Sequence, residues 1–534
     1  MLIDISMMRG EIPRLMPHLL PNEAATIATD CQFERGVVEP LKSDLLIASL
    51  PQRPVTLFKY HDKWLQWSRL VNVIRNPMAQ DEWGRIYWSG QGKPKVSSKD
   101  IITGSNGINP QAWYDLGVPA PNSPPIVTNI DDSTGEEPPE GEHDSYDDED
   151  RVYIQTFVTR FSEEGKPGEP SKAALIEKPG STVTIQLSQL TVNTHNITHT
   201  RLYRSVTNSG NAEYVMVAEL PIAQQTYKDS TKDANGPILE TWDYDLPDEN
   251  MQGLCVMANG ICTGFAGNEV RFSEAYLPYA WPKAYSLTSE FEIVACVAIG
   301  NALVVGTKGN PYLFTGVTPS AITATKLNSE QACVSAESMV AINGAAVYAS
   351  PDGLVAVTQD GATLITEQII ARETWQSFKP ETIRAWANEG QYIALYDGGG
   401  FVFDLTGGHF TQMSNTWHAA YADLESDKLF IAKDKTLYAW KSGSDPLLYK
   451  WQSKTFVVPK HSVFSSMRIV ADEIKKVSVE VFVDGETILS LNEGDLEDEL
   501  FRLPATRGSK VSVKVGGRSR IERLMMASTM LELS

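Results

Sequence analysis

Residues able to do chemistry are few and scattered in this sequence. His195 and His199 stand four apart, a spacing that can put two imidazoles on one face. A zinc site needs at least a third protein ligand in fixed geometry, and none can be picked from the neighbouring residues. The pair therefore reads as surface histidines in a polar loop. From Asp131 to Asp150 the chain holds eleven Asp or Glu and no Lys or Arg. Its carboxylates, among them Asp131, Asp132, Glu136, Glu137, Asp147, Asp148, Glu149 and Asp150, lack the ordered spacing and turn glycine of a calcium loop. They read as a solvated, self-repelling run.

Two further patterns touch on glycan chemistry. The stretch SPDGLVAV at Ser350–Val357 approaches the Ser-x-Asp-x-Gly-x-Thr-Trp turn of propeller glycosidases, but Asp352 follows Pro351 directly and no Trp closes it. Turn chemistry accounts for it. Trp375, Trp386, Trp417, Trp440 and Trp451 could line a sugar shelf, yet several stand at strand positions where a core needs bulk. No Gly-rich phosphate loop, GxSxG elbow or HExxH pair occurs. The residue types point to no cofactor, no metal and no catalytic constellation. A glycan-binding or glycan-hydrolysing propeller is the alternative, and it would require paired carboxylates in an exposed cleft.

With chemistry so sparse, the elements carry the reading. The stretch 253–282, GLCVMANGICTGFAGNEVRFSEAYLPYAWP, has two apolar runs about Asn259-Gly260, a dipeptide suited to a tight hairpin. The unit recurs, with first turns at Asn259, Gly300, Asn343, Glu389 and Ser426, spaced by 41, 43, 46 and 37 residues. Second turns near Gly267, Gly309, Asp352, Gly398 and Asp434 keep the same beat. Several strands per unit at this period predict a β-propeller. Residues 55–98 add one upstream unit, for about six blades.

Around the repeats lie other segments. Pro13, Pro17 and Pro21 hold an extended N-terminal arm, and Asn22 could cap a short helix over 23–30. Arg9, Glu11, Pro13 and Arg14 in that arm are candidates for a contact with a neighbouring subunit or an adaptor. The alternative is that the arm caps its own propeller. Residues 119–247, entered through VPAPNSPPIV, carry short alternating strands and predict a fibronectin-type-III-like sandwich. Residues 456–534 alternate cleanly about Asp484-Gly485 and predict a C-terminal β domain. The expected organisation is thus all-β: 1–118 arm plus first propeller unit, 119–247 inserted sandwich, 248–455 main propeller, 456–534 terminal domain.

Bulk properties narrow the function. The chain has 534 residues, 42% hydrophobic and 21% charged, an ordinary globular composition for several domains. No basic-then-apolar leader opens it, and no run approaches the roughly 18 apolar residues that span a bilayer. Synthesis in the cytoplasm without membrane insertion is the expectation. A net charge of −21 argues against binding that works by neutralising phosphates. The five cysteines form an odd set. A two-residue turn at Asn259-Gly260 would set Cys262 opposite Met257 and Cys255 opposite Gly264, too far apart for easy bridging. Free thiols that act as small hydrophobes are predicted.

Several segments also resemble a known group. They are GEIPRLMPHLLPNEA with Cys31 and Gly36, RLYRS, AELP, the 253–282 stretch, WQSKTFVVP, FRLP and the terminal ASTMLEL. In this order the chain resembles the tail nozzle or tail tubular proteins of short-tailed bacteriophages. The resemblance implies a virion structural protein, a β-propeller with added β domains, assembled as a homo-hexameric ring below the head-to-tail adaptor. Such a ring surrounds the DNA exit channel, contacts other tail or spike proteins, and lets double-stranded DNA pass without specific binding. The acidic segment has no counterpart in that pattern, so it could line the channel or decorate the exterior.

Overall fold

The computed structural model describes residues 1–104, 109–136, 148–208 and 211–533. The chain is all-β, and it forms two compact units: residues 1–70, 290–314 and 324–534, and residues 71–289 with 315–323.

In the first unit, four-stranded antiparallel sheets follow the predicted repeat. One runs Ile293–Ile299, Ala302–Thr307, Tyr312–Thr315, Thr323–Lys326; the next Val340–Ile342, Ala345–Ala349, Leu354–Thr358, Gly361–Leu364. A third begins Arg384–Asn388, Gln391–Tyr396, Gly399–Asp404, His409–Met413. The first strands of successive sheets lie side by side, as propeller blades do. The turns obey their residues. Asn343-Gly344 and Glu389-Gly390 hold φ of 49° and 80°, and of 50° and 72°, the paired left-handed geometry of a tight hairpin.

The fourth blade of this unit has a non-local strand. Ala419–Asp423, Lys428–Lys433 and Thr436–Ala439 are completed by Leu45–Ser49, which pairs antiparallel with Thr436–Ala439. The upstream segment is then not one blade. Thr56–Tyr60 and Lys63–Trp67 form a two-stranded hairpin beside Ala419–Asp423. Asn72–Arg75, Ile86–Ser89, Lys95–Ser97 and Tyr114–Asp115 make a separate four-stranded sheet in the second unit. The expected 1–118 domain is therefore corrected: its residues divide between the two units.

The C-terminal β domain is a sandwich that borrows the N-terminus. Leu2–Ile5 pairs with Ile521–Ala527, and Ala25–Thr29 pairs with Tyr449–Ser453. Ile3, Ile5, Met8, Ala25, Ala28 and Val38 pack in one core with Trp451, Met467, Val479 and Leu524. A helix over 23–30 does not form. Ala25 and Ala28 are wanted in that core, and Thr26, Ile27 and Thr29 are β-branched, so pairing overrides the cap signal.

In the second unit the blade Gln252–Val256, Ile261–Ala266, Glu269–Ala275, Ser286–Thr288 lies against the sheet of Asn72–Arg75. Its hairpin register differs from expectation by one residue. Val256 faces Cys262 and Cys255 faces Thr263, because only Gly260 takes a left-handed φ (78°) and the turn widens to the Met257–Ile261 hydrogen bond. All five cysteines are free thiols. The sandwich packs the sheet Ile126–Asp131, Thr182–Gln186, Thr226–Asp229 against Tyr153–Thr159, Ile197–Asn208, Asn211–Pro221, over Tyr153, Val183, Ile185 and Leu202.

Candidate assembly surface

The arm is stitched to its own unit. The Glu11 N–H donates to Phe410 O (2.8 Å) and the Phe410 N–H donates back to Glu11 O (3.1 Å). The Trp451 indole N–H donates to Arg9 O at 2.9 Å. Chain approaches chain so closely that a Cβ on Gly10 would stand 2.3 Å from Phe410 O. Of the four candidate residues, Arg9 and Arg14 are exposed, whereas Glu11 and Pro13 are partly covered. Glu11 is thereby corrected as a contact for a neighbour, because its carboxylate turns inward to accept the Ala28 N–H (2.7 Å).

Burial raises the Glu11 carboxyl from 4.5 to about 7. The raised group carries its full stabilising share below the unfolded value and loses it as pH rises through about 7. Glu11 by itself should make the first unit more stable as pH falls from 8 to 5, whereas the buried His409, shifted down by its desolvation, acts the other way. Glu11→Gln keeps an oxygen for Ala28 and should remove this slope, gaining about 2–3 kcal/mol at pH 8. Urea unfolding at both pH values checks this; equal slopes in the two proteins would refute it.

The acidic segment is anchored at its ends. Asp131 accepts the Ser133 N–H (3.1 Å), Asp132 accepts the Ser181 hydroxyl (2.8 Å), and Glu136 pairs with Lys232 (2.8 Å). Glu149 pairs with the buried Arg151 (2.8 Å), while Asp148 and Asp150 are exposed. Glu137 and Asp147 lie outside the described residues. The described part is thus an edge of the sandwich rather than a free run.

The other chemical candidates are absorbed into structure. The His195 ring bonds Gly117 O (2.9 Å) and that of His199 bonds Thr198 Oγ1 (3.0 Å), so they share no ligand site. In the SPDG turn, Ser350 Oγ donates to Gly353 O (2.9 Å), and the Trp375 indole donates to Ser350 O (2.8 Å). Trp386, Trp417 and Trp440 run ring to ring, with centroids 5.8 and 6.1 Å apart. Lys441, paired with Glu389, covers the Trp440 face at 4.5 Å, beside a cavity of about 160 Å³. A sugar could not stack there without displacing the lysine. Burial pushes the Cys262 and Cys333 thiols up to about 12, which leaves neither as a thiolate nucleophile at neutral pH.

Sequence reasoning missed the buried ionic groups. Arg204 (2% exposed) donates to Asp229 (0%) at 3.0 Å, and the Tyr153 hydroxyl donates to the same oxygen at 2.8 Å. Arg85 bridges Asp81 and Glu163 between the 72–115 blade and the sandwich, over the Phe161 ring. Apart from Asp81, four positions from Arg85, these partners lie 25 to 78 positions apart, and no local pattern announces them.

No family model and no curated protein matches this sequence. Among solved structures, the chain is similar to the extracellular domain of the one component system BT4673 from B. thetaiotaomicron. That match has a TM-score of 0.28 and 11% identity, and covers 95% of this chain and 81% of that one. It is also similar to PorZ of Porphyromonas gingivalis, with a TM-score of 0.26 and 10% identity over 86% of this chain and 82% of that one. A third likeness is to the exo-beta-1,3-galactanase of Phanerochaete chrysosporium, at TM-score 0.18 and 7% identity over 90% of this chain and 99% of that one. None of these scores reaches the level at which a likeness bears on function.

Proposed function

We propose that this chain is a structural component of a bacteriophage tail, a nozzle subunit that forms a ring around the DNA exit channel below the head-to-tail adaptor. It carries out no reaction in this reading. It retains the genome and then passes it, touching DNA without specific binding. The observation that supports this is the use of its chemical side chains. Asp352, Trp375, Trp417, Glu163 and Arg204 all serve the β scaffold. The chain's net charge of −21 suits a wall along which phosphates slide. The resemblance of the arm, the 253–282 stretch and the terminal segments to nozzle proteins supports the same assignment.

Quantitative mass spectrometry of purified particles tests it. The expected result is a few copies per particle relative to the capsid protein, at a ring-like multiple such as six. Absence from particles would overturn the reading, and hydrolysis of cell-surface polysaccharide would then be the next assay.

A further inference from the structure

One polar row in the first unit serves neither a strand pairing nor an ion pair. Gln391 stands opposite Asp404, and Asp404 opposite His409, so the three side chains cross three strands of one blade in a single line. Two residues along, Val402 and Thr411 oppose each other on the same face. These five residues form one wall of the cavity of about 160 Å³. Its other walls come from residues 31–34 and Leu41 of the arm, and from Trp440 and Lys441. The Phe33 ring meets the His409 ring edge to face, with centroids 5.4 Å apart.

Hydrogen-bonding capacity is left over on this wall. His409 is 7% exposed, and its Nδ1 has no hydrogen-bond partner. Thr411 is 6% exposed, and neither its hydroxyl nor the Gln391 amide is bonded among the described residues. Asp404 spends Oδ1 on the N–H groups of Thr406 (2.8 Å) and Gly407 (2.9 Å), while Oδ2 accepts nothing from them. Buried polar groups left open cost free energy, and several around one cavity call for a bound partner. Burial holds the His409 ring below the ordinary histidine value, so at neutral pH it offers a lone pair. The one cation in the lining, Lys441, is paired with Glu389 (3.1 Å). Asp404 and Glu34 therefore have no cation inside the cavity. Arg9, whose charge reaches His409, and Arg35, next to Glu34 in the chain, do not line it. A cavity of this size matches a molecule of about five or six non-hydrogen atoms.

We propose that this cavity binds a small organic cation, a primary ammonium on a short aliphatic body. Its N–H groups are donated to the row of Asp404, His409 and Thr411, and its methylene groups lie against Val402 and Leu41. Because arm and blade both wall the cavity, the bound cation fastens residues 31–34 to the blade. The site goes beyond the nozzle reading and does not depend on it.

Titration calorimetry of the full chain with n-butylammonium tests this, with n-butanol as the uncharged control of the same length. The expected result is one site per chain with a Kd of about 1 mM or below, and binding of butanol at least tenfold weaker. The thermal transition should rise with the concentration of the ammonium. Asp404→Asn keeps an oxygen for the Thr406 and Gly407 N–H groups but removes the charge, and should weaken binding about tenfold. Thr411→Val removes the hydroxyl at nearly constant shape and should weaken it several-fold; it decides the matter if the Asp404 variant fails to fold. No binding of the ammonium would overturn the proposal, the cavity then holding water alone. Binding that both variants leave unchanged would belong to the acidic surface at large and would overturn it too, as would equal affinity for butanol.

Discussion

Deleting residues 1–38 is expected to abolish folding of the C-terminal sandwich, not merely to free a tail. The deletion removes Leu2–Ile5 and Ala25–Thr29, and with them one of the two partner strands of Ile521–Ala527 and one of those of Tyr449–Ser453. It also strips Ile3, Ile5, Met8, Ala25, Ala28, Cys31 and Val38 from the core, where each is at most 7% exposed. Burying an aliphatic side chain of the Ile or Met type contributes about 1.5–3 kcal/mol. Four such residues and three smaller ones together rival the roughly 5–15 kcal/mol by which a whole domain is stable. Trp451 and Met467, now fully covered, would face water. Loss of the sandwich should appear as aggregation on expression, or as loss of protease resistance over 449–533. A soluble truncated protein with the wild-type thermal transition would show that the N-terminal strands are dispensable.

Arg204→Ala should be the most damaging single substitution in the second unit. Arg204 Nη1 donates to Asp229 Oδ2 (3.0 Å) and to Thr231 O (2.6 Å), and Nη2 donates to Lys232 O (3.1 Å). Removing it leaves the fully buried Asp229 with Tyr153 and the Thr231 N–H as its remaining partners. Breaking a buried pair from one side costs about 3–5 kcal/mol, because the remaining charge stays in a poorly solvating site. For a unit of this size the melting temperature should fall by about 10 °C. The double variant Arg204→Met, Asp229→Asn should recover a good part of the loss, since no lone charge is then buried. Calorimetry on the wild type, Arg204→Ala and the double variant checks this. An Arg204→Ala protein within about 1 kcal/mol of wild type would refute it.

The same contrast separates what local sequence encodes from what it leaves open. Turn positions were legible because a turn is decided within four residues. Asn343-Gly344, Glu389-Gly390 and Asp484-Gly485 tolerate left-handed φ, and all three adopt it. Strand alternation in Val477–Val483 was legible for the same reason, since inward and outward faces follow a period of two. The hairpin at Asn259-Gly260 was legible as a turn but not in register, because Asn259 does not take the left-handed conformation that a two-residue loop requires.

Illegible were the features that depend on distant partners. By itself 23–30 offers a helix cap, and only the docking of Ala25 and Ala28 beside Trp451 makes it a strand. Leu45–Ser49 looks like arm, yet it closes a blade whose other strands begin at residue 419. Glu11 reads as a surface charge until Phe410 draws its backbone in and Ala28 takes its carboxylate. By itself the sequence determined the all-β class, the beat of the blades and the acidic balance, which follow from local conformational preference and composition. Only the tertiary structure decided which strands complete which sheets and which charges are buried. Those outcomes are set by burial and pairing across hundreds of residues, where no local preference reaches.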